Sequence, residues 1–98
     1  MEVEFGDGEM RRLAAERGYI GRWSVPVIKA YRKRVQAIMA AHDERDLRFP
    51  GGNHFEKLQP PRDHQHSMRL NDQWRLIMEI RRDKAKTIVR LVEIVDYH

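Results

Sequence analysis

His66-Ser67-Met68-Arg69-Leu70-Asn71-Asp72-Gln73-Trp74-Arg75-Leu76-Ile77-Met78-Glu79-Ile80 is the stretch on which the fold turns. Met68 and Leu70 alternate with Arg69 and Asn71, the period of two expected of a strand with one buried face. Asn71-Asp72 carries the chemistry of a tight hairpin turn, so the run from Trp74 to Ile80 reads as the returning strand. Downstream, Arg81-Arg82-Asp83-Lys84-Ala85 makes a charged hairpin end and Thr87 to Val95 a third, strongly apolar strand. Upstream, Phe55 to Leu58 is a short strand separated from His66 by the turn Pro60-Pro61-Arg62-Asp63. The second half of the chain is therefore an antiparallel meander.

Before Phe49-Pro50-Gly51-Gly52-Asn53, a cluster that neither helix nor strand accepts easily, the period lengthens to that of a helix. Ser24 is placed to cap a helix with Pro26 in its first turn, and Ile28, Tyr31, Val35, Ile38 and Met39 form its apolar stripe. A shorter amphipathic helix spans Glu9 to Arg17, with Met10, Leu13 and Ala14 inward and Gly18 to stop it. Val3 and Phe5 alternate with Glu2 and Glu4 as a short edge strand. The expected architecture is α+β: a single domain over residues 1–98, with two N-terminal helices packed on an antiparallel sheet.

At 98 residues the chain buries only about 60 to 65% of the surface that its unfolded form exposes, which leaves no room for a large enclosed cavity. Lys and Arg number 19 against 15 Asp and Glu, a net charge of +4 that favours a polyanionic partner without naming one. Having no cysteine, the chain is excluded from disulfide, thiolate-metal and cysteine-nucleophile chemistry. An acidic start at Met1-Glu2-Val3-Glu4-Phe5 and the lack of about 20 consecutive apolar residues give the expectation of an unexported, cytoplasmic protein with no membrane segment.

Three groups of residues can carry chemistry. Asp96-Tyr97-His98 ends the most apolar strand, delivering a carboxylate, a phenol and an imidazole to one sheet edge; alternation puts Asp96 and His98 on one face and Tyr97 toward the other. A frayed polar tail is the plainer reading. Arg69 and Arg75, on neighbouring strands, suit a clamp for a phosphate, although arginines on a solvated sheet face are common. His64 and His66 lie two apart beside Asp63, but no third ligand has a defined spacing, so no metal site is expected. His66 shares the parity of Met68 and Leu70, which makes a half-buried structural histidine as good a reading as a functional one. Lys29, Arg32, Lys33 and Arg34 form a basic stripe on the second helix, suited to nucleic-acid phosphates or simply to water.

The block His66-Ser67-Met68-Arg69-Leu70-Asn71-Asp72-Gln73-Trp74-Arg75-Leu76, followed by Glu93-Ile94-Val95-Asp96-Tyr97-His98, resembles a HigB-type toxin of the RelE/ParE superfamily. Weaker agreement at Gly21-Arg22-Trp23-Ser24, Asp46-Leu47-Arg48 and Pro50-Gly51-Gly52-Asn53 extends the likeness over nearly the whole chain. The resemblance implies a RelE-like fold and a type II toxin. That toxin would be a ribosome-dependent endoribonuclease cutting translated mRNA without metal or other cofactor. It also implies neutralisation by a HigA-like helix-turn-helix antitoxin, and contact with operator DNA only through the antitoxin complex.

Under that resemblance His98 serves in proton transfer with Asp96 orienting it, Arg69 and Arg75 hold the scissile phosphate, and His66 is the reserve acid or base. Tyr97 stacks on a base, while Arg62, Asn71 and Lys57 complete the substrate contacts. Where some HigB relatives carry a histidine and a lysine after the Lys-Leu pair, this chain reads Lys57-Leu58 with Gln59 and then Arg62. Arg62 offers a replacement cation, but Gln59 cannot titrate, which throws the acid and base roles onto His64, His66 or His98. Two other readings stand beside this one: a ParE-like toxin that poisons DNA gyrase by binding, and an inactive module that binds antitoxin or nucleic acid.

Overall fold

A computed structural model describes residues 1–48 and 54–96. Strand β1 (Glu2–Phe5) leads into helices α1 (Gly8–Ala15) and α2 (Val25–Ala40), then a 3-10 helix (Glu44–Arg48). Strands β2 (Glu56–Lys57), β3 (His66–Arg69), β4 (Trp74–Asp83) and β5 (Lys86–Asp96) follow. Helix α2 begins as its sequence predicts, Ser24 Oγ accepting from Val27 N at 3.4 Å; α1 is capped by the Asp7 side chain, which accepts from Met10 N at 2.9 Å, and it ends at Ala15 with Glu16 as its C-cap rather than running to Arg17 and Gly18. After α2, Glu44–Arg48 makes a 3-10 helix that buries Leu47.

The five strands lie in the order β1-β5-β4-β3-β2. The meander of β2 to β5 is antiparallel as expected, but β1 runs parallel to β5, so the sheet is mixed rather than antiparallel. The reason is complementarity with β5 and, across it, with β4. Val3 and Phe5 turn toward the core beside Val89 and Leu91, while Glu2 and Glu4 turn to the other face. There Glu4 Oε2 accepts from Arg81 at 2.8 Å and Glu2 Oε1 from Lys86 at 3.5 Å. Only with β1 in this register do both its apolar and its acidic residues find partners.

The core lies between the helices and one face of the sheet, with Leu13, Ile28, Tyr31 and Ile38 from the helices against Met68, Leu76, Met78, Val89 and Leu91. A bulge in β5 adjusts the match. Ile77 pairs with Glu93 while Met78 pairs with Leu91, leaving Val92 as the extra residue. Leu91 and Ile94, three apart, thereby both face the core, which unbroken alternation forbids.

The basic stripe of α2 is not simply solvated. Arg32 donates to the carbonyls of Leu13 at 2.8 Å, Glu16 at 3.0 Å and Tyr19 at 2.9 Å, closing the C-terminal end of α1 and the turn after it. Arg34 Nε donates to the Arg69 carbonyl at 3.0 Å, tying α2 to the end of β3. Arg32→Ala is expected to lower the unfolding free energy by about 2 kcal/mol in a denaturant titration, while exposed Lys29→Ala stays within about 0.5 kcal/mol of the parent.

Candidate functional site

Direct pairing across β3, β4 and β5 sorts the candidate residues onto two faces. Arg69 stands opposite Arg75, and Arg75 opposite Val95; Glu56 stands opposite Ser67, and Ser67 opposite Ile77. All of these project away from the helices, because Met68, Leu76 and Ile94, at the intervening positions, are core residues. This open face therefore brings Arg69 and Arg75 together as the alternation predicts.

On it, each guanidinium meets a carboxylate. Arg75, whose side chain is only 13% exposed, places Nη1 3.4 Å from Glu56 Oε1. Arg62 reaches over from the turn before β3, donating to Glu93 Oε2 at 3.3 Å and to Gln65 Oε1 at 2.9 Å. Arg69 pairs with Asp72 in the hairpin turn. Gln65 in turn donates to Glu79 Oε2 at 3.1 Å, with His64 Nε2 3.9 Å from the same oxygen. The result is a set of planar, always-charged donors held in place by anions that a phosphate resembles.

The other expected residues lie elsewhere. Asp96 pairs with Trp74, on the helix side, and accepts from Gln73 Nε2 at 3.0 Å; it does not share the face of Arg69 and Arg75. Asn71 is a turn residue: its Oδ1 accepts from Gln73 N at 2.9 Å and from Trp74 N at 2.8 Å, so the amide oxygen is spent on shaping the hairpin. Lys57 pairs with His66, also on the helix side. Tyr97 and His98 fall outside the described residues.

His66 stacks on Phe55, ring centres 5.0 Å apart and nearly parallel, and its Nδ1 is buried without a hydrogen-bond partner among the described residues. Burial holds its pKa below the ordinary 6.5, nearby Lys57 and Arg48 push the same way, and Glu44 opposes them. That is the environment of a structural histidine. Nor do His64 and His66 form a metal pair, since one lies beside Glu79 and the other against Phe55; among the described residues no three His, Cys, Asp or Glu gather to hold a metal.

Sequence reasoning missed Glu56 and Ser67 as members of this face. Parity within Phe55 to Leu58 separates Glu56 from Phe55 and Lys57, but the register of β2 on β3, set across the Pro60-Pro61 turn, is what carries Glu56 to Arg75.

With this geometry in view, the HigB-like toxin family, described as RelE-like toxins of type II toxin–antitoxin systems, matches residues 16–98. The chain belongs to the HigB-like toxin family. The fold agrees: the YoeB/ParE toxin from Agrobacterium tumefaciens superposes with a TM-score of 0.62 over 100% of both chains, at 8% identity. No curated protein sequence matches. As a HigB-like toxin the chain is the toxin half of a type II pair, and an antitoxin is its partner. Among the described residues, no helix of this toxin is long and apolar enough to cross a membrane.

Because His66 is held neutral in the folded toxin and ionises more readily once unfolded, its contribution is fully present above pH 6.5 and is lost as the pH falls below that value toward the lower folded pKa. Denaturant titrations are expected to show stability falling from pH 7 to pH 5.5, with a smaller fall in His66→Phe.

Proposed function

We propose that this HigB-like toxin is a ribosome-dependent endoribonuclease that cuts translated mRNA in the cytoplasm, and that a HigA-like antitoxin both neutralises it and carries it to operator DNA. The observation that carries this reading is the open sheet face on which Arg69 and Arg75 stand directly opposite each other, with Glu56 against Arg75. Cleavage of RNA by its own 2′-hydroxyl needs a base for that hydroxyl, cations for the phosphorane and an acid for the leaving 5′-oxygen. Arg75, Arg69 and Arg62 supply the cations. Their fixed positive charge favours the transition state, in which the phosphate gains negative charge, over the ground state.

For the base, Glu56 has the better claim than His66. It lies on the face of the arginines and beside one of them, whereas His66 is packed against Phe55 on the other face. A phosphate that takes Arg75 leaves the Glu56 carboxylate beside the bound ribose, where it can accept the 2′-hydroxyl proton. His98 is assigned the acid role and Tyr97 the stacking of a base, while Asp96, bonded to Gln73, anchors the end of β5.

Expression without antitoxin, followed by mapping of transcript 5′ ends, tests the reading. In-frame cuts within translated messages are expected, and Arg75→Ala and His98→Ala should each lower cutting by about 10²-fold or more while leaving antitoxin binding intact. Intact transcripts accompanied by DNA-damage signalling would instead mark a gyrase poison.

A further inference from the structure

On the same face, Ser67 is a polar group outside the proposed chemistry. Ser67 is 0% exposed, and its Oγ is buried with no hydrogen-bond partner among the described residues. It sits on β3 directly between Glu56 of β2 and Ile77 of β4, with Arg69 two residues along the same face. The Glu56 to Arg75 pair joins β2 to β4, so it must pass across β3, over the segment that carries Ser67 and Arg69. An ion pair thus spans the block of the sheet in which a hydroxyl is left unpaired.

A buried hydroxyl without a partner is unfavourable, and an apolar residue of similar size would remove the penalty. Alanine would suffice for packing at this position. What the hydroxyl adds is one O–H donor on the strand that the Glu56 to Arg75 bridge crosses, a donor that an oxyanion held by Arg75 can use.

We propose that Ser67 is a covered third ligand for a phosphodiester: an incoming phosphate displaces the Glu56 carboxylate from Arg75, opens the bridge, and receives a hydrogen bond from Ser67 Oγ together with those from Arg75. The free protein keeps the site closed with its own carboxylate, and the substrate anion is the key that exposes the hydroxyl. The inference rests on the reading of this face as an RNA-phosphate site, but it concerns binding and is separable from cleavage.

The test uses the purified full chain with two probes, inorganic phosphate and a short single-stranded 2′-O-methyl RNA that cannot be cut. Ser67→Ala should bind both about tenfold more weakly than the parent, the loss of one hydrogen bond to a charged acceptor, while its melting temperature stays level or rises. Glu56→Gln, which weakens the competing bridge, should bind both more tightly. Equal affinity of the parent and Ser67→Ala, or no gain from Glu56→Gln, overturns the proposal. Cleavage in a translating extract is scored separately: binding that follows these expectations without any cleavage sinks the ribonuclease reading alone, and cleavage with unaltered binding by Ser67→Ala sinks this one alone.

Discussion

Met68, Leu76 and Ile94 stand side by side across β3, β4 and β5, each buried, and the helices pack on them. Because side chains alternate strictly along a strand, fixing these three inward fixes their neighbours outward: Arg69 beside Arg75, and Ser67 beside Ile77. A slip of one residue in β3 would drive Arg69 into the core and lift Met68 into water, at a cost far above the few kcal/mol by which a small domain is stable. The core thus positions the site. No interaction among the charged groups is needed to bring the arginines together.

That division matters because those charged groups interact weakly. The Arg62 and Glu93 side chains are 46% and 49% exposed, and ion pairs of this kind contribute roughly 0 to 1 kcal/mol. Had such pairs built the fold, a substrate phosphate could not displace them without disrupting it. Since hydrophobic register holds the strands, the carboxylates are free to act as placeholders, keeping each guanidinium oriented until a stronger anion arrives. Arg75 is the more constrained member, being nearly buried, and it pairs with a carboxylate from a strand of only two residues. The short, exposed β2 is the part of the sheet best able to yield.

Much of the architecture was legible because it depends on local pattern. The period of two from His66 to Ile80 and the Ser24 cap each act over a few residues, and each appears where its chemistry places it. A two-residue Asn71-Asp72 turn would have set Arg69 opposite Trp74; the turn takes in Gln73 as well, Leu70 N donating to the Trp74 carbonyl at 2.9 Å, and that third residue sets Arg69 opposite Arg75. What escaped was long-range. The parallel seating of β1 on β5 joins residues more than eighty apart, with Val3 and Phe5 packed against the core and Glu2 and Glu4 meeting Lys86 and Arg81 on the other face. Glu56 escaped for the same reason, since a proline-rich turn hides the register of β2. Arg32 and Arg34 looked like a surface stripe because a helical wheel shows which residues leave the core face, but not which backbone carbonyls lie within their reach.

Separating Asp96 from the arginines alters how the C-terminal residues have to work. On the helix side of β5, opposite Trp74 and bonded to Gln73, Asp96 cannot act on a phosphate lying over Arg75. A carboxylate there can fix the direction in which the strand ends. The positive charge proposed for catalysis then sits with Arg69 and Arg75 on directly paired strands, a rigid framework on which preorganised charge costs no reordering during the reaction.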